Sequence, residues 1–443
     1  MWASRLSLRA LLDVLRRDSG PPLFYLLEKP VVRLAETFAL PDGVARLPSW
    51  IAALLLGACA FSFPRGSPRR KFALLCAASP LLLLYGAEAR AYALLALLDL
   101  LVFLLLLRGE ETPARVALGG AAAAAALATH SLAILFLGAA VLVAVARRRW
   151  RSAAGLAAAG VLFSPWIPAL LAQPREATAW IREPALLSAW GFLSALGGAG
   201  RLPPNSGVAL PAALVAAGAV LGAAAAFFTL RSENPDARAA AAMALLTLAG
   251  VAILSFVRPV AFSGRTEMAV LGVWLWGVAA AGAGKRAARA CAMAIVTVGA
   301  ASATVILASP LPRTPSAEVV AAVASKIAPG DALVAGAGFY LPARLAADRG
   351  TIRGAVDAYP AEIALHPGWF EPRAPADSDV AALERSLLAA PPGRRTYLLL
   401  HPYQESPALA RMLAAHGTAR IVTRLPEASL ILFVKAQELR TEN

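Results

Sequence analysis

From Pro48 onward, long apolar runs alternate with short polar breaks rich in arginine. The runs fall near 48–63, 72–86, 91–107, 115–129, 131–146, 153–172, 208–230, 237–257, 267–283 and 288–308. They are apolar all round rather than along one stripe, which marks helices buried in protein or lipid. Their lengths approach the roughly 20 residues that carry a helix across a bilayer, so the pattern predicts ten transmembrane helices. Upstream, Met1–Leu47 is different, with Arg5, Arg9, Arg16, Arg17, Glu28, Lys29, Arg33 and Glu36 spread along it. A charge at mid-membrane costs roughly 3 kcal/mol even on a lenient insertion scale. This arm is therefore expected to form amphipathic helices at the membrane interface, broken at Asp18-Ser19-Gly20-Pro21-Pro22. After Pro312 the pattern changes again. Helix-like stretches at 316–327, 374–390 and 406–416 alternate with strand-like ones at 331–335, 396–401, 420–425 and 429–435, the signature of a small α/β domain. The expected division is an arm, 1–47, a multi-span membrane domain, 48–312, and a C-terminal α/β domain, 313–443.

Composition agrees with the pattern. The 443 residues are 59% hydrophobic and 16% charged, with a formal net charge of +15, whereas a soluble domain carries about 25% charged residues. Residues 1–312 hold 28 Lys/Arg against 14 Asp/Glu, and the remainder 14 against 13. The basicity thus sits on the apolar part, as for loops beside a membrane, and no nucleic-acid-binding domain is indicated. Alternate loops are rich and poor in basic residues. The rich set holds Arg65, Arg69, Arg70 and Lys71, then Arg108 and Arg115, Arg147–Arg149 and Arg151, Arg231 and Arg238, and Lys285, Arg286 and Arg289. The rule that basic loops stay inside assigns this set to the cytoplasm and the C-terminal domain to the other side of an inner (plasma) membrane. Ten spans then place Met1 outside as well, so either a further span upstream of this sequence is expected or one span is miscounted, with 115–146 a single long kinked helix. The long poor loop 173–207 holds Trp180 and Trp190 and is expected to lie at the interface. Cys59, Cys76 and Cys291 all lie in apolar runs, which predicts neither a disulfide framework nor a metal cluster.

The candidate chemistry gathers at the outer ends of the spans. Asp18, Glu88, Arg90, Tyr92, His130, Arg258, Arg265 and Glu267 come from distant parts of the chain, yet this topology sets them at one depth. Polar groups at a membrane edge that face the protein interior are functional candidates. Glu88 and Arg90 also fit a solvated hairpin, and His130 a polar kink. Arg258 and Arg265 suit a phosphate through bidentate charge-assisted bonds, or simple snorkelling to the interface. Asp99 lies within a span and reads as protonated or bonded to a neighbouring helix. Gly336-Ala337-Gly338 lacks the third glycine and acidic partner of a dinucleotide fingerprint. No His/Asp/Glu cluster has metal-ligand spacing, so neither metal nor cofactor is assigned.

At Asp18-Ser19-Gly20-Pro21-Pro22-Leu23-Phe24-Tyr25-Leu26-Leu27 and Ala45-Arg46-Leu47-Pro48-Ser49, the chain resembles family 39 glycosyltransferases. These are GT-C enzymes related to the protein O-mannosyltransferases and the aminoarabinose transferase acting on lipid A. Ser79-Pro80, Ala87-Glu88-Ala89-Arg90-Ala91-Tyr92, Thr129-His130, Ser164-Pro165-Trp166-Ile167-Pro168 and the turn with Arg265 follow in the order such proteins show. The resemblance implies transfer of a sugar from a polyprenyl-phosphate donor to a glycan, lipid or protein acceptor outside the cytoplasm. On that basis Arg258 and Arg265 would hold the donor phosphate. Glu88, Arg90, Tyr92 and His130 would line the cavity, and Asp18 would orient the acceptor hydroxyl. Gly20 stands where the family usually has His, and Thr266 where it often has Tyr. The Asp-Glu pair that opens the family's first external loop is missing from this chain, which begins about where that pair ends. Two other readings stay open: a catalytically inactive homologue, and a transporter or flippase of lipid-linked sugars.

Overall fold

The computed structural model describes residues 2–17, 20–172, 181, 185–199, 209–309, 315–364, 374–391, 393–425 and 428–436. It separates into two units that divide at residues 311 and 312.

The first unit is helical, and local chemistry sets several of its helix starts. Asn234 accepts from Asp236 N (2.9 Å) and Ala237 N (3.3 Å) to begin Pro235–Ser255. Thr112 accepts from Arg115 N (3.3 Å) to begin Pro113–Thr129. In both, proline follows the cap, where its missing N–H is harmless and its fixed φ is already helical. The expected spans reappear as Leu47–Ala58, Tyr92–Val102, Pro113–Thr129, Ala133–Ala146, Trp150–Phe163, Ala212–Leu230, Pro235–Ser255, Met268–Ala281 and Arg286–Ala308. The expected span 72–86 is two helices instead, Ser67–Ala77 and Pro80–Gly86. Pro80 has no N–H to continue the ladder, and the residue before a proline is pushed to extended backbone. Ser79 takes that conformation (ψ 113°) and its hydroxyl accepts from Leu82 N at 3.3 Å. The 91–107 span closes in a π-helix, Phe103–Leu107. In the arm, Leu8–Arg17 and Leu23–Thr37 are helices, and the short helix Trp2–Arg5 ahead of them is tied to Leu23–Thr37 by Ser4–Glu28 and by Arg5–Glu36 at 2.6 Å.

Five helical segments are long and apolar enough to cross a membrane, and shorter apolar helices stand beside them. The unit is that of a multi-pass membrane protein. Lipid is as apolar as a leucine, so burial against it gives no hydrophobic drive, and helices associate through close packing and hydrogen bonds. Met268–Ala281 is buried on every side and forms the centre. Its Trp274 donates Nε1–H to Leu196 O (2.8 Å), and its Trp276 donates to Ser62 Oγ (3.1 Å) and stacks on Phe63. Leu196 belongs to Ala185–Leu196, a helix inside the 173–207 loop that was expected at the interface. Trp180 lies outside the described residues. The helix is buried at Phe192, Ala195 and Leu196 and followed by glycine. A Cβ on Gly197 would stand 1.7 Å from Gly218 O, so only glycine allows this approach to Ala212–Leu230.

The second unit is an α/β domain with strand order β2-β1-β3-β5-β4. Strand β1 (Ala332–Gly336) pairs in parallel with β2 (Ala355–Tyr359) and β3 (Thr396–Leu400). Strand β5 (Ala428–Lys435) runs antiparallel to β3 and to β4 (Gly417–Leu425). Residues alternate between two cores. Leu333, Ala335, Tyr397, Leu399, Leu430 and Leu432 face one, and Val334, Leu398, Leu400, Ile431 and Phe433 the other. Helices Pro315–Ala324 and Tyr340–Asp348 cover the first face, and Asp377–Ala389 and Pro407–His416 the second. Strand β2 was not expected. It is a short edge strand carrying Asp357 and exposed at alternate positions, so it has no apolar run to reveal it.

Candidate functional site

The turn between Pro80–Gly86 and Tyr92–Val102 is short, and its ends are set by tyrosines. Tyr85 closes the first helix and Tyr92 opens the second, with ring centroids 4.8 Å apart. Between them Arg90 lies over the Tyr92 ring at 5.8 Å and 4.0 Å from Glu88. Buried Ser49, on Leu47–Ala58, donates its hydroxyl to Arg90 O at 2.9 Å and pins the turn to a third helix. Tyr25 of the arm also stands within electrostatic reach of Arg90.

His130 joins the same cluster from Pro113–Thr129. The residue is extended (φ −158°, ψ 140°), which separates that helix from Ala133–Ala146. Its ring lies 5.2 Å from Tyr92, and its Nδ1 accepts from Leu132 N at 3.1 Å. Burial, then the charges of Arg90 and Arg265, push this imidazole down to about 4, so it is uncharged at neutral pH.

Arg265 arrives on the turn that follows Pro235–Ser255, and side chains from that turn set its shape. Ser255 Oγ accepts from Ala261 N (2.8 Å), while Thr266 Oγ1 accepts from Phe262 N (3.0 Å). Both oxygens of the Glu267 carboxylate accept from Gly264 N, at 3.0 and 2.9 Å. Gly264 is left-handed (φ +88°), a conformation glycine takes without strain. Arg265 is buried within this frame over the ring of Phe262 at 4.8 Å.

The structure therefore brings Glu88, Arg90, Tyr92, His130 and Arg265 together. Arg265 is the arginine of its turn whose charge is felt at His130 and Tyr85. Arg258 lies half-buried at the other end of that turn, its N–H donated to Leu254 O at 2.9 Å. Asp18 lies outside the described residues. Two members were not among the assigned site residues. Glu267 carried a visible signal, a carboxylate at the start of an apolar helix three residues after a turn N–H. Tyr85 carried none, yet it is fully buried, and its hydroxyl makes no hydrogen bond among the described residues. Seven residues beyond Tyr92, Asp99 is buried, and among the described residues neither of its carboxyl oxygens is hydrogen-bonded. Among the described residues, no three His, Cys, Asp or Glu side chains come together to hold a metal ion.

No family model and no curated protein matches the sequence. Solved structures do match the fold. ArnT from Cupriavidus metallidurans in the apo state superposes with a TM-score of 0.55 at 14% identity, over 94% of this chain and 87% of that one. The same protein bound to undecaprenyl phosphate gives 0.54 at 14% identity, over 94% and 88%. The chain shares its overall fold with these ArnT structures. Arabinofuranosyltransferase AftD from Mycobacteria aligns over 98% of this chain and 40% of its own, with 18% identity and a TM-score of 0.45.

Proposed function

We propose that this chain is a membrane glycosyltransferase that moves a sugar from a polyprenyl-phosphate carrier to an acceptor hydroxyl outside the cytoplasm. The acceptor would be a glycan, a lipid or a protein. One observation carries the reading: two guanidiniums, an imidazole and two phenol rings from three separated segments converge at one end of a GT-C-like helical unit. A similar fold holding undecaprenyl phosphate supports the choice of carrier.

In the reaction the acceptor oxygen bonds to the sugar's anomeric carbon as the bond from that carbon to the phosphate oxygen breaks. The electron pair leaves with the polyprenyl phosphate, so negative charge grows where Arg265 and Arg90 stand. Preorganised cations at such a point are worth more than in water, because they need no reorganisation as charge develops. Arg258 is a further donor to the same phosphate. The proton lost by the acceptor goes to Asp18, the carboxylate of the first loop, with general-base help on the order of 100- to 10,000-fold. Glu88 and Tyr92 shape the floor on which donor and acceptor meet. The chain sits in an inner membrane with its C-terminal domain on the acceptor side.

The test is turnover of a radiolabelled polyprenyl-phosphate sugar in membranes carrying wild type or Arg265→Ala. We expect a loss of about 100-fold, the scale for removing one preorganised donor. Equal turnover removes Arg265 from the site. Labelled lipid that crosses the bilayer without transfer to an acceptor replaces this reading with a flippase.

A further inference from the structure

We propose that His130 is a fixed-tautomer donor: Leu132 N–H holds Nδ1 as an acceptor, and Nε2–H binds, with Arg90 and Arg265, the phosphate of a lipid carrier. This rests on the glycosyltransferase reading and adds to it a residue with a defined proton. A ring nitrogen that accepts a hydrogen bond carries no proton, so the proton of an uncharged imidazole sits on the other nitrogen. Here Nδ1 is the acceptor, at 3.1 Å from Leu132 N. Among the described residues Nε2 makes no hydrogen bond, and the half-buried ring is held beside Tyr92 at 5.2 Å.

The neighbours complete the argument. Arg90, Tyr92, Glu88 and Tyr85 stand on the turn and helices before it, and Arg265 and Glu267 on the opposite turn. Arg90 is bound only loosely among the described residues, by Glu88 at 4.0 Å and the Tyr92 face. A loosely held guanidinium and an N–H donor thus stand beside a buried second guanidinium and a buried phenol whose hydroxyl makes no hydrogen bond among the described residues. A phosphate presents several acceptor oxygens and no donor, which fits such a set of donors. The same geometry denies His130 the role of base. One ring nitrogen is occupied by a backbone N–H and the other already carries its proton, so no lone pair remains for the acceptor's proton.

Two substitutions separate donor from structural cap. In His130→Asn, Oδ1 occupies the place of Nδ1 and accepts from the N–H two residues on, as asparagine does in Asx turns, while the distal donor is lost. In His130→Gln the amide N–H lies near the place of Nε2, uncharged, and the cap is lost. Binding is measured on the detergent-solubilised full chain with undecaprenyl phosphate and, as control, undecaprenol. We expect His130→Asn to bind the phosphate about tenfold more weakly, as for one hydrogen bond to a charged group. Undecaprenol binding and Tm should be unchanged. His130→Gln should stay within about threefold of wild type. Wild-type affinity in the Asn variant, or a Gln variant as weak as Asn, overturns the proposal. Equal binding of undecaprenyl phosphate and undecaprenol by wild type overturns the glycosyltransferase reading itself, before any variant is needed.

Discussion

The two ends of the same helices both carry arginines and use them in opposite ways. At the end rich in basic loops the guanidiniums are spent on the fold. The π-helix Phe103–Leu107 and the turn after it leave carbonyls that no helix ladder satisfies. Arg149 takes Leu106 O (2.8 Å) and Gly109 O (2.7 Å), and Arg147 takes Leu107 O (2.8 Å). Arg115 bonds both Leu104 O and Arg108 O. Arg147 also pairs with Asp236 at 2.8 Å, and Arg108 reaches Ser62 O and lies over Trp276. Burial would raise the Glu111 carboxyl, but bonds from Ser152 and the charges of Arg149 and Arg151 hold it below its ordinary value. At the His130 end, Arg90 has a loose carboxylate and an aromatic face. The positive charge that reads as a membrane-orientation signal is thus also a set of helix caps at one end, whereas the proposed site draws on the loosely held charge at the other.

Arg90→Ala against Arg147→Ala is the sharpest way to break this comparison. We expect Arg90→Ala to lower sugar transfer about 100-fold with no change in Tm. Arg147→Ala should remove roughly 1–3 kcal/mol of stability, as for hydrogen bonds to a charged group, and keep its specific activity once folded. Exchanged phenotypes would end the distinction between the two ends. A smaller effect is expected for Glu267→Gln. It retains one acceptor for Gly264 N–H and should lower transfer about tenfold by loosening the turn that presents Arg265. Full activity would show that the turn holds without its carboxylate. The smallest effects separate the ends by pH. His130 is harder to protonate in the fold than in the unfolded chain, so stability falls as pH drops from 6.5 toward about 4. Glu111 is depressed, so its contribution is full above 4.5 and is lost as pH falls through its lower folded value. Tm measured against pH should lose the first slope in His130→Asn and the second in Glu111→Gln. A variant that keeps its slope removes that group from the account.

Much of the helical unit was legible because its signals are local. Apolar runs, prolines after Ser, Thr and Asn, and arginine-rich breaks act within a few residues. The misses were of two kinds. Ser79-Pro80 interrupts a run that hydropathy averages over, and Ala185–Leu196 is a helix whose place depends on glycines at 197, 218 and 222 meeting across the chain. In the C-terminal domain, strands with continuous apolar runs were visible and the half-exposed edge strand β2 was not. In the site, charged and aromatic candidates could be named one by one. Tyr85 could not, because a tyrosine ending an apolar helix looks the same whether its hydroxyl meets lipid headgroups or an enclosed cluster.

By itself the sequence determined that this is a multi-span helical protein with an appended α/β domain, because hydropathy and capping are decided by near neighbours. Which arginines are held by backbone carbonyls and which are held only loosely was decided by the tertiary structure alone. Arg147 meets Asp236 across 89 positions, and Arg149 meets Leu106 across 43. Identical guanidiniums acquire different work from partners that only folding brings within hydrogen-bond reach.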